Sequence, residues 1–208
     1  MSAITKRILH ELEHHIPFTL FGAFTGIALI LVLIFTESLN GIEANEETIF
    51  FILHPAHVLL SAIATTALYL KYSKKNILLA VLIGFTGSIV IATISDSIIP
   101  YIGELLLGLP NAEAHIGIID KPIITLVPAF IGIAIGYFIT HSKIPHAGHV
   151  LISTWASLFH VLMALGSTVN FIQIIGIFVF LFLAVWLPCC TSDIIYPLVF
   201  SKKEKKIN

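Results

Sequence analysis

The stretch that decides the fold of this 208-residue chain is residues 54–61, which read HPAHVLLS inside a long apolar run. Residues 146–153 read HAGHVLIS, so the pattern H-x-x-H-V-L-[LI]-S occurs twice at an offset of 92 residues. In a helix, the spacing i, i+3, i+7 puts both imidazoles and the hydroxyl of each copy on one side. Titratable side chains in a membrane helix are costly unless they have partners, so each copy predicts a functional half-site.

Two further pairs of segments repeat in the same order. Residues 19–29 and 125–135 match at seven of eleven positions, and the pattern S-D-x-I-x-P occurs at 95–100 and again at 192–197. Three repeated segments in one order indicate that a unit with three membrane spans was duplicated. Because three is an odd number, the second copy must cross the membrane in the opposite orientation, as in many secondary transporters.

The composition indicates an integral membrane protein. Hydrophobic residues make up 57% of the chain and charged residues only 11%, with a mean hydropathy of +1.00. A soluble domain could not cover its surface with so few charges, so we expect the lipid bilayer to surround this protein. The net charge of -1 gives no indication of a nucleic-acid partner, and two adjacent cysteines provide no disulfide framework.

Six segments reach the length of about 20 residues that a helix needs to cross the hydrocarbon layer. We place them near 17–37, 49–71, 76–98, 122–140, 145–167 and 171–199. Every lysine and arginine except Lys121 then falls on one side of the membrane. The positive-inside rule therefore predicts a multi-pass protein of the cell membrane with both termini cytoplasmic.

The predicted fold class is an all-α membrane protein whose six transmembrane helices form a 3+3 inverted-topology repeat. Residues 101–107 of the loop between the repeats fit either a short interfacial helix or a plain connector. Glycines four residues apart in the first and fourth spans predict that these two spans pack closely together. The predicted divisions are a cytoplasmic amphipathic segment (1–16), repeat 1 (17–100), an outer loop (101–121), repeat 2 (122–199) and a basic cytoplasmic tail (200–208).

The repeated histidines and aspartates predict metal-binding half-sites. His54, His57 and Asp96 form the expected outer half-site, and His146, His149 and Asp193 the expected inner one. Imidazole and carboxylate ligands together suit zinc, nickel, cobalt, iron or manganese. Imidazole also titrates near neutral pH, so metal binding and proton release would be coupled. The candidate accessory ligands are His160, Ser61, Ser153, Ser95, Ser192, Cys189 and Cys190.

These features favour a secondary transporter of a divalent transition metal over an enzyme, because one reaction centre seldom needs two equivalent sites. The metal is then a substrate or a ligand, and we expect no organic cofactor. Two alternatives stay open: an intramembrane zinc-dependent hydrolase, and a haem-binding electron carrier with His57 and His160 as axial ligands. The sequence also leaves a homodimer open.

One short motif lies outside the repeats. Residues 10–14 read HELEH and match H-E-x-x-H, the pattern of zinc metalloproteases. The segment is short and polar, it precedes the first predicted span, and no third-ligand motif accompanies it. We therefore interpret it either as part of an amphipathic helix next to the membrane or as a loose cytoplasmic metal-collecting site.

Overall fold

The computed structural model describes the backbone of residues 3–73, 76–139, 146–166, 168–190 and 195–200. Side chains are described for these residues except 3–11, 14, 39–44, 72, 146–147, 190 and 198–199. Within these ranges the regular structure is all helical, without a β-strand. In chain order the elements are α1 (Ala3–Phe35), α2 (Leu39–Tyr72), α3 (Ile77–Thr93), a π-helical turn (Ile94–Ile98), α4 (Ile99–Leu107), α5 (Gly117–Asp120), α6 (Pro122–Phe138), α7 (His146–Ala164), α8 (Phe171–Cys190) and α9 (Tyr196–Val199).

Four helical stretches of the described chain are long and apolar enough to cross a membrane: His15–Phe35, Asn45–Lys71, Ile77–Leu107 and Phe171–Cys189. α6 and the apolar part of α7, where the sequence predicts the fourth and fifth spans, are also apolar but shorter. The all-helical fold and the four long apolar stretches indicate a membrane location.

Large apolar side chains cover the surface while many polar ones are buried. Phe35, Phe138 and Ile172 are 83%, 82% and 76% exposed, whereas the side chains of Asp96 and His160 are completely buried. Water would disfavour this arrangement, but a hydrocarbon solvent favours apolar groups outside and mutually satisfied polar groups inside. The distribution therefore agrees with the membrane location.

The third predicted span continues beyond its expected end near residue 98. α3, the π-helical turn and α4 form one helical stretch that ends at Leu107, where Gly108 adopts a left-handed conformation with φ of 63°. Residues 101–107 are therefore helical, and Gly103 and Glu104 on this helix are buried. A π-helical turn inserts one extra residue, which changes the direction in which Asp96 points relative to the rest of the helix.

The glycines of the first and fourth spans contact partners other than those expected. α1 packs on α7 and α8, and α6 packs on α2 and α3. A methyl group added at Gly22 would lie 2.8 Å from Thr154 on α7, and one added at Gly132 would lie 2.7 Å from Ala62 on α2. Glycines make a helix face available for close approach, but they do not select which helix occupies it.

Candidate metal centre

Three helices bring together three side chains that are typical metal ligands. His57 of α2, His149 of α7 and Cys189 of α8 are all buried, and their ligand atoms lie within 4.8 Å of one another. The two imidazole centroids are 4.7 Å apart, and the Cys189 thiol lies 3.8 Å from Nε2 of His57. We call these three residues the central cluster.

The local sequence explains how each ligand reaches this point. His57 lies near the middle of α2, one turn after His54, so both imidazoles follow the same face of that helix. His149 lies in the first turn of α7, and Cys189 lies in the last turn of α8 directly after Pro188. The cluster is therefore assembled where two helix ends meet the middle of a third helix.

Asp96 orients two histidines by hydrogen bonds. Its Oδ2 atom lies 2.9 Å from Nδ1 of His54 and 2.7 Å from Nδ1 of His57, and all three side chains are buried. An ionised carboxylate can only accept hydrogen bonds, so both Nδ1 atoms donate. Nε2 of His57 then keeps the lone pair that a metal ion requires.

Three serines extend this network on the other side of the carboxylate. Ser153 donates to Oδ1 of Asp96 over 3.0 Å, and its Oγ lies 2.9 Å from Oγ of Ser95. Ser157 donates to the backbone carbonyls of Ser95 and Ser153. The thiol of Cys189 lies 3.6 Å from Oγ of Ser153, so the serines connect the carboxylate to the central cluster.

The arrangement matches the known relation between metal ligands and the groups around them. A histidine that binds a metal usually donates its other ring N–H to a carboxylate, which fixes the ring and raises its basicity. Asp96 makes this contact to His57, so its two oxygens are engaged in orienting histidines and accepting from Ser153. Two imidazoles and a thiolate would leave a fourth tetrahedral position for water or another ligand.

The predicted site residues are brought together unevenly. His54 and His57 both bond to Asp96, so the three residues predicted for the outer half-site lie together. The ring of His57 also contacts the ring of His149, which was predicted for the inner half-site. His149 of the expected inner half-site thus lies beside His57 of the outer one, whereas the sequence suggested two separate sites that face opposite sides. Ser61 is buried. The side chains of His146 and Cys190, and all of Ser192 and Asp193, lie outside the described residues.

His160 lies apart from the central cluster and has other partners. Its Nδ1 is 2.7 Å from Oε1 of Glu104, and its Nε2 accepts from the backbone N–H of His115 over 3.3 Å. Both ring nitrogens of His160 are therefore engaged, which leaves neither for the axial ligation of a haem with His57.

Sequence reasoning missed the role of Glu104 and treated Cys189 as an accessory. Glu104 follows Asp96 by eight residues, about two helical turns, so a continuous helix through residues 96–104 would have placed both carboxylates near one side. Because the sequence predicts that the third span ends near residue 98, it places Glu104 in a loop and not on the helix of Asp96. Cys189 has no equivalent in the repeated patterns, so nothing in the sequence ranked it above its neighbour.

Comparison of the chain with protein family models, curated proteins and solved structures gives no match. The chemistry and position of the central cluster are therefore the basis on which a function can be assigned.

Proposed function

We propose that this protein is a secondary transporter of a divalent transition-metal ion in the cell membrane, and that the central cluster binds the ion during transport. One observation carries the proposal. His57 and His149 occupy equivalent positions of the two repeated motifs, and their rings are in contact together with a buried thiol. Transporters built from inverted repeats bind their substrates at the interface between the repeats, near the membrane midplane.

The proposed architecture has six spans as a 3+3 inverted repeat, with both termini cytoplasmic. Equivalent residues can touch each other only close to the axis that relates two copies, and the His57–His149 contact supports such an axis. The helix contacts support it as well, because α6 packs on α2 as α1 packs on α7.

One basic residue is the exception to the charge distribution that supports this orientation. Lys121 falls on the side opposite to all other lysines and arginines in the six-span arrangement. Its Nζ pairs with Oε1 of Glu47 over 2.8 Å and lies 3.9 Å from the centre of the Phe51 ring. The positive-inside rule counts the excess of lysines and arginines on one side, so one exception among 11 such residues leaves the predicted orientation unchanged.

The ligand set indicates the class of ion. A thiolate and two imidazoles favour zinc, cobalt, nickel or iron over manganese, which prefers oxygen ligands. A site formed by both repeats would be opened and closed by relative movement of those repeats, which is the requirement for alternating access. Among the described residues the central cluster has three ligands, and a fourth position occupied by water would permit release of the ion.

The experiment is metal flux into proteoliposomes that contain a metal-sensitive dye, with zinc and cobalt as the ions tested. We expect His149→Ala and His57→Ala to abolish flux while His141→Ala, a histidine between the fourth and fifth predicted spans, retains it. Equal flux in the wild-type protein and His149→Ala, at matched amounts of folded protein, would reject the assignment. Cobalt absorption in detergent checks binding separately, because a thiolate ligand gives the bound ion a distinct visible spectrum.

A second candidate is an intramembrane zinc-dependent hydrolase. The specific observation in its favour is that Asp96 and Ser153 lie beside a three-ligand cluster whose fourth position could hold a reactive water. A hydrolase should keep one tightly bound zinc through purification, whereas a transporter should release it to a chelator. Metal analysis of the purified protein before and after dialysis against a chelator separates the two.

A further inference from the structure

A second polar site lies at the opposite end of α7 from the central cluster. Its members are Glu104 of α4 and His160 of α7, whose Oε1 and Nδ1 atoms are 2.7 Å apart with both side chains buried. His160 follows His149 by eleven residues, which places it about 16 Å further along the helix. We call these two residues the Glu104–His160 pair.

Hydrogen bonds fix the protonation of the imidazole in this pair. The backbone N–H of His115 donates to Nε2 of His160, so Nε2 carries no proton. A neutral imidazole then has its single proton on Nδ1, where it is donated to Oε1 of Glu104. The imidazole is held in its neutral form, and the ionisable position of the pair is the carboxyl group.

The second oxygen of Glu104 lacks a partner. Oε2 is buried and has no hydrogen-bond partner among the described residues. An ionised carboxylate in this position would place a net negative charge inside a membrane-spanning stretch with one oxygen unsatisfied, which is costly. Binding of one proton at Oε2 removes that charge and leaves the hydrogen bond from His160 in place.

His115 connects the Glu104–His160 pair to the loop after α4. The ring of His115 is partly exposed and lies 5.5 Å from the ring of His160. On the other side, Phe50 contacts the rings of both His160 and His54. The surrounding elements carry other titratable groups: Glu46, His54 and His57 on α2, the ion pair between Glu47 and Lys121 at the start of α6, Asp96 on the π-helical turn, Tyr101 on α4, Glu113 and Asp120 in the 108–121 segment, His149 on α7 and Cys189 on α8.

We propose that Glu104 is the proton-binding site that couples metal transport to a proton gradient. The proposal rests on the proposed transport function and adds the coupling ion and its residue. One proton binds at Oε2 from the side of the 108–121 segment, and the charge of the pair changes from negative to neutral. A metal ion fits the Glu104–His160 pair less well than a proton does, because the pair offers only two ligand residues. Among the described residues, a group of three ligand atoms within 4.8 Å of one another occurs at the central cluster instead.

The test is the metal gradient that a pH gradient can build across proteoliposomes with the membrane potential clamped to zero. Coupling to one proton would give the wild-type protein an about tenfold cobalt concentration ratio per pH unit at equilibrium. We expect Glu104→Gln to give a ratio near one, because glutamine cannot bind the proton. Glu113→Gln changes an exposed glutamate of the 108–121 segment and should retain the wild-type ratio. A tenfold ratio with Glu104→Gln would overturn the proposal.

Two further measurements separate this proposal from the transport function itself. Glu104→Gln should still bind cobalt at the central cluster and still carry it down a concentration gradient. His149→Ala should lose both of these properties. A failure of the transport function is thereby distinguished from a failure of proton coupling. If Glu104→Gln does not fold, infrared spectroscopy of the wild-type protein and of His160→Gln decides. The wild-type protein should show the carbonyl stretching band of a buried protonated carboxyl group, and this band should shift in His160→Gln. A wild-type spectrum without such a band across the pH range of transport would reject the proposal.

Discussion

The two polar regions along α7 differ in their relation to the repeat. The central cluster contains residues that are equivalent in both copies, since His57 and His149 meet directly. The Glu104–His160 pair has no such symmetry, because the equivalent of His160 at the offset of 92 is Leu68. Duplication would account for a site where the two copies meet, whereas Leu68 leaves the pair without a counterpart in the other copy. The difference suggests a shared site for the transported ion and a one-sided site for the coupling ion.

The largest expected effect distinguishes the two regions by metal affinity. His149→Ala removes a direct ligand. Loss of a hydrogen-bond partner of a ligand lowers metal affinity by about 10- to 100-fold, so we expect the loss of the ligand itself to lower cobalt affinity by more than about 100-fold. His160→Ala should change it by about twofold or less, because well-separated sites behave independently. Titration of both variants with cobalt in detergent measures the difference. Equal losses would show that the two regions form one site.

A smaller effect is expected from the carboxylate that orients His57. Asp96→Asn removes the negative charge and leaves one accepting oxygen where the structure uses two, one for both histidines and one for Ser153. Cobalt affinity should therefore fall by about 10- to 100-fold. Ser97→Ala is the matched control, since Ser97 lies in the same π-helical turn and its buried hydroxyl has no partner among the described residues. An unchanged affinity in Asp96→Asn would mean that Asp96 does not support the central cluster.

The hydroxyl of Ser153 should contribute less. Ser153→Ala removes one hydrogen bond to Asp96, which is worth about 1 kcal/mol, so cobalt affinity should fall by about fivefold. Thr154→Val is the control at the neighbouring position, because the Thr154 hydroxyl donates to the carbonyl of Val150 in its own helix. The same cobalt titration measures both variants, and a larger loss in Thr154→Val would contradict the proposed network.

The smallest expected effect concerns helix packing and leaves metal affinity unchanged. A methyl group at Gly132 would lie 2.5 Å from the carbonyl oxygen of Leu59, so Gly132→Ala should lower the free energy of unfolding by about 1–3 kcal/mol. Gly148→Ala is the control, because its added methyl group would meet nothing within 4 Å. Thermal unfolding in detergent compares them, and equal midpoints would contradict the close approach of α6 and α2.

The sequence predicted the helical class, the membrane location and the common helix face of His54 and His57 for clear physical reasons. Long apolar runs and few charges leave little choice of solvent, and the spacing of His54 and His57 fixes their common helix face. It did not indicate that Asp96 would bond to both of these histidines, because the π-helical turn that directs it has no sequence signature here. It did not indicate Glu104 either, because the end of an apolar helix cannot be located from hydropathy to within a turn.

The sequence by itself determined which side chains are too costly to leave without partners in a hydrocarbon solvent, and that two copies of them exist. Only the tertiary structure decided which of them meet. Helix contacts bring His57 together with His149 and with Cys189, which is 132 positions away, and place His160 beside Glu104 instead. Helix periodicity is a local property of the chain, whereas the crossing of α2, α7 and α8 depends on the packing of every helix around them.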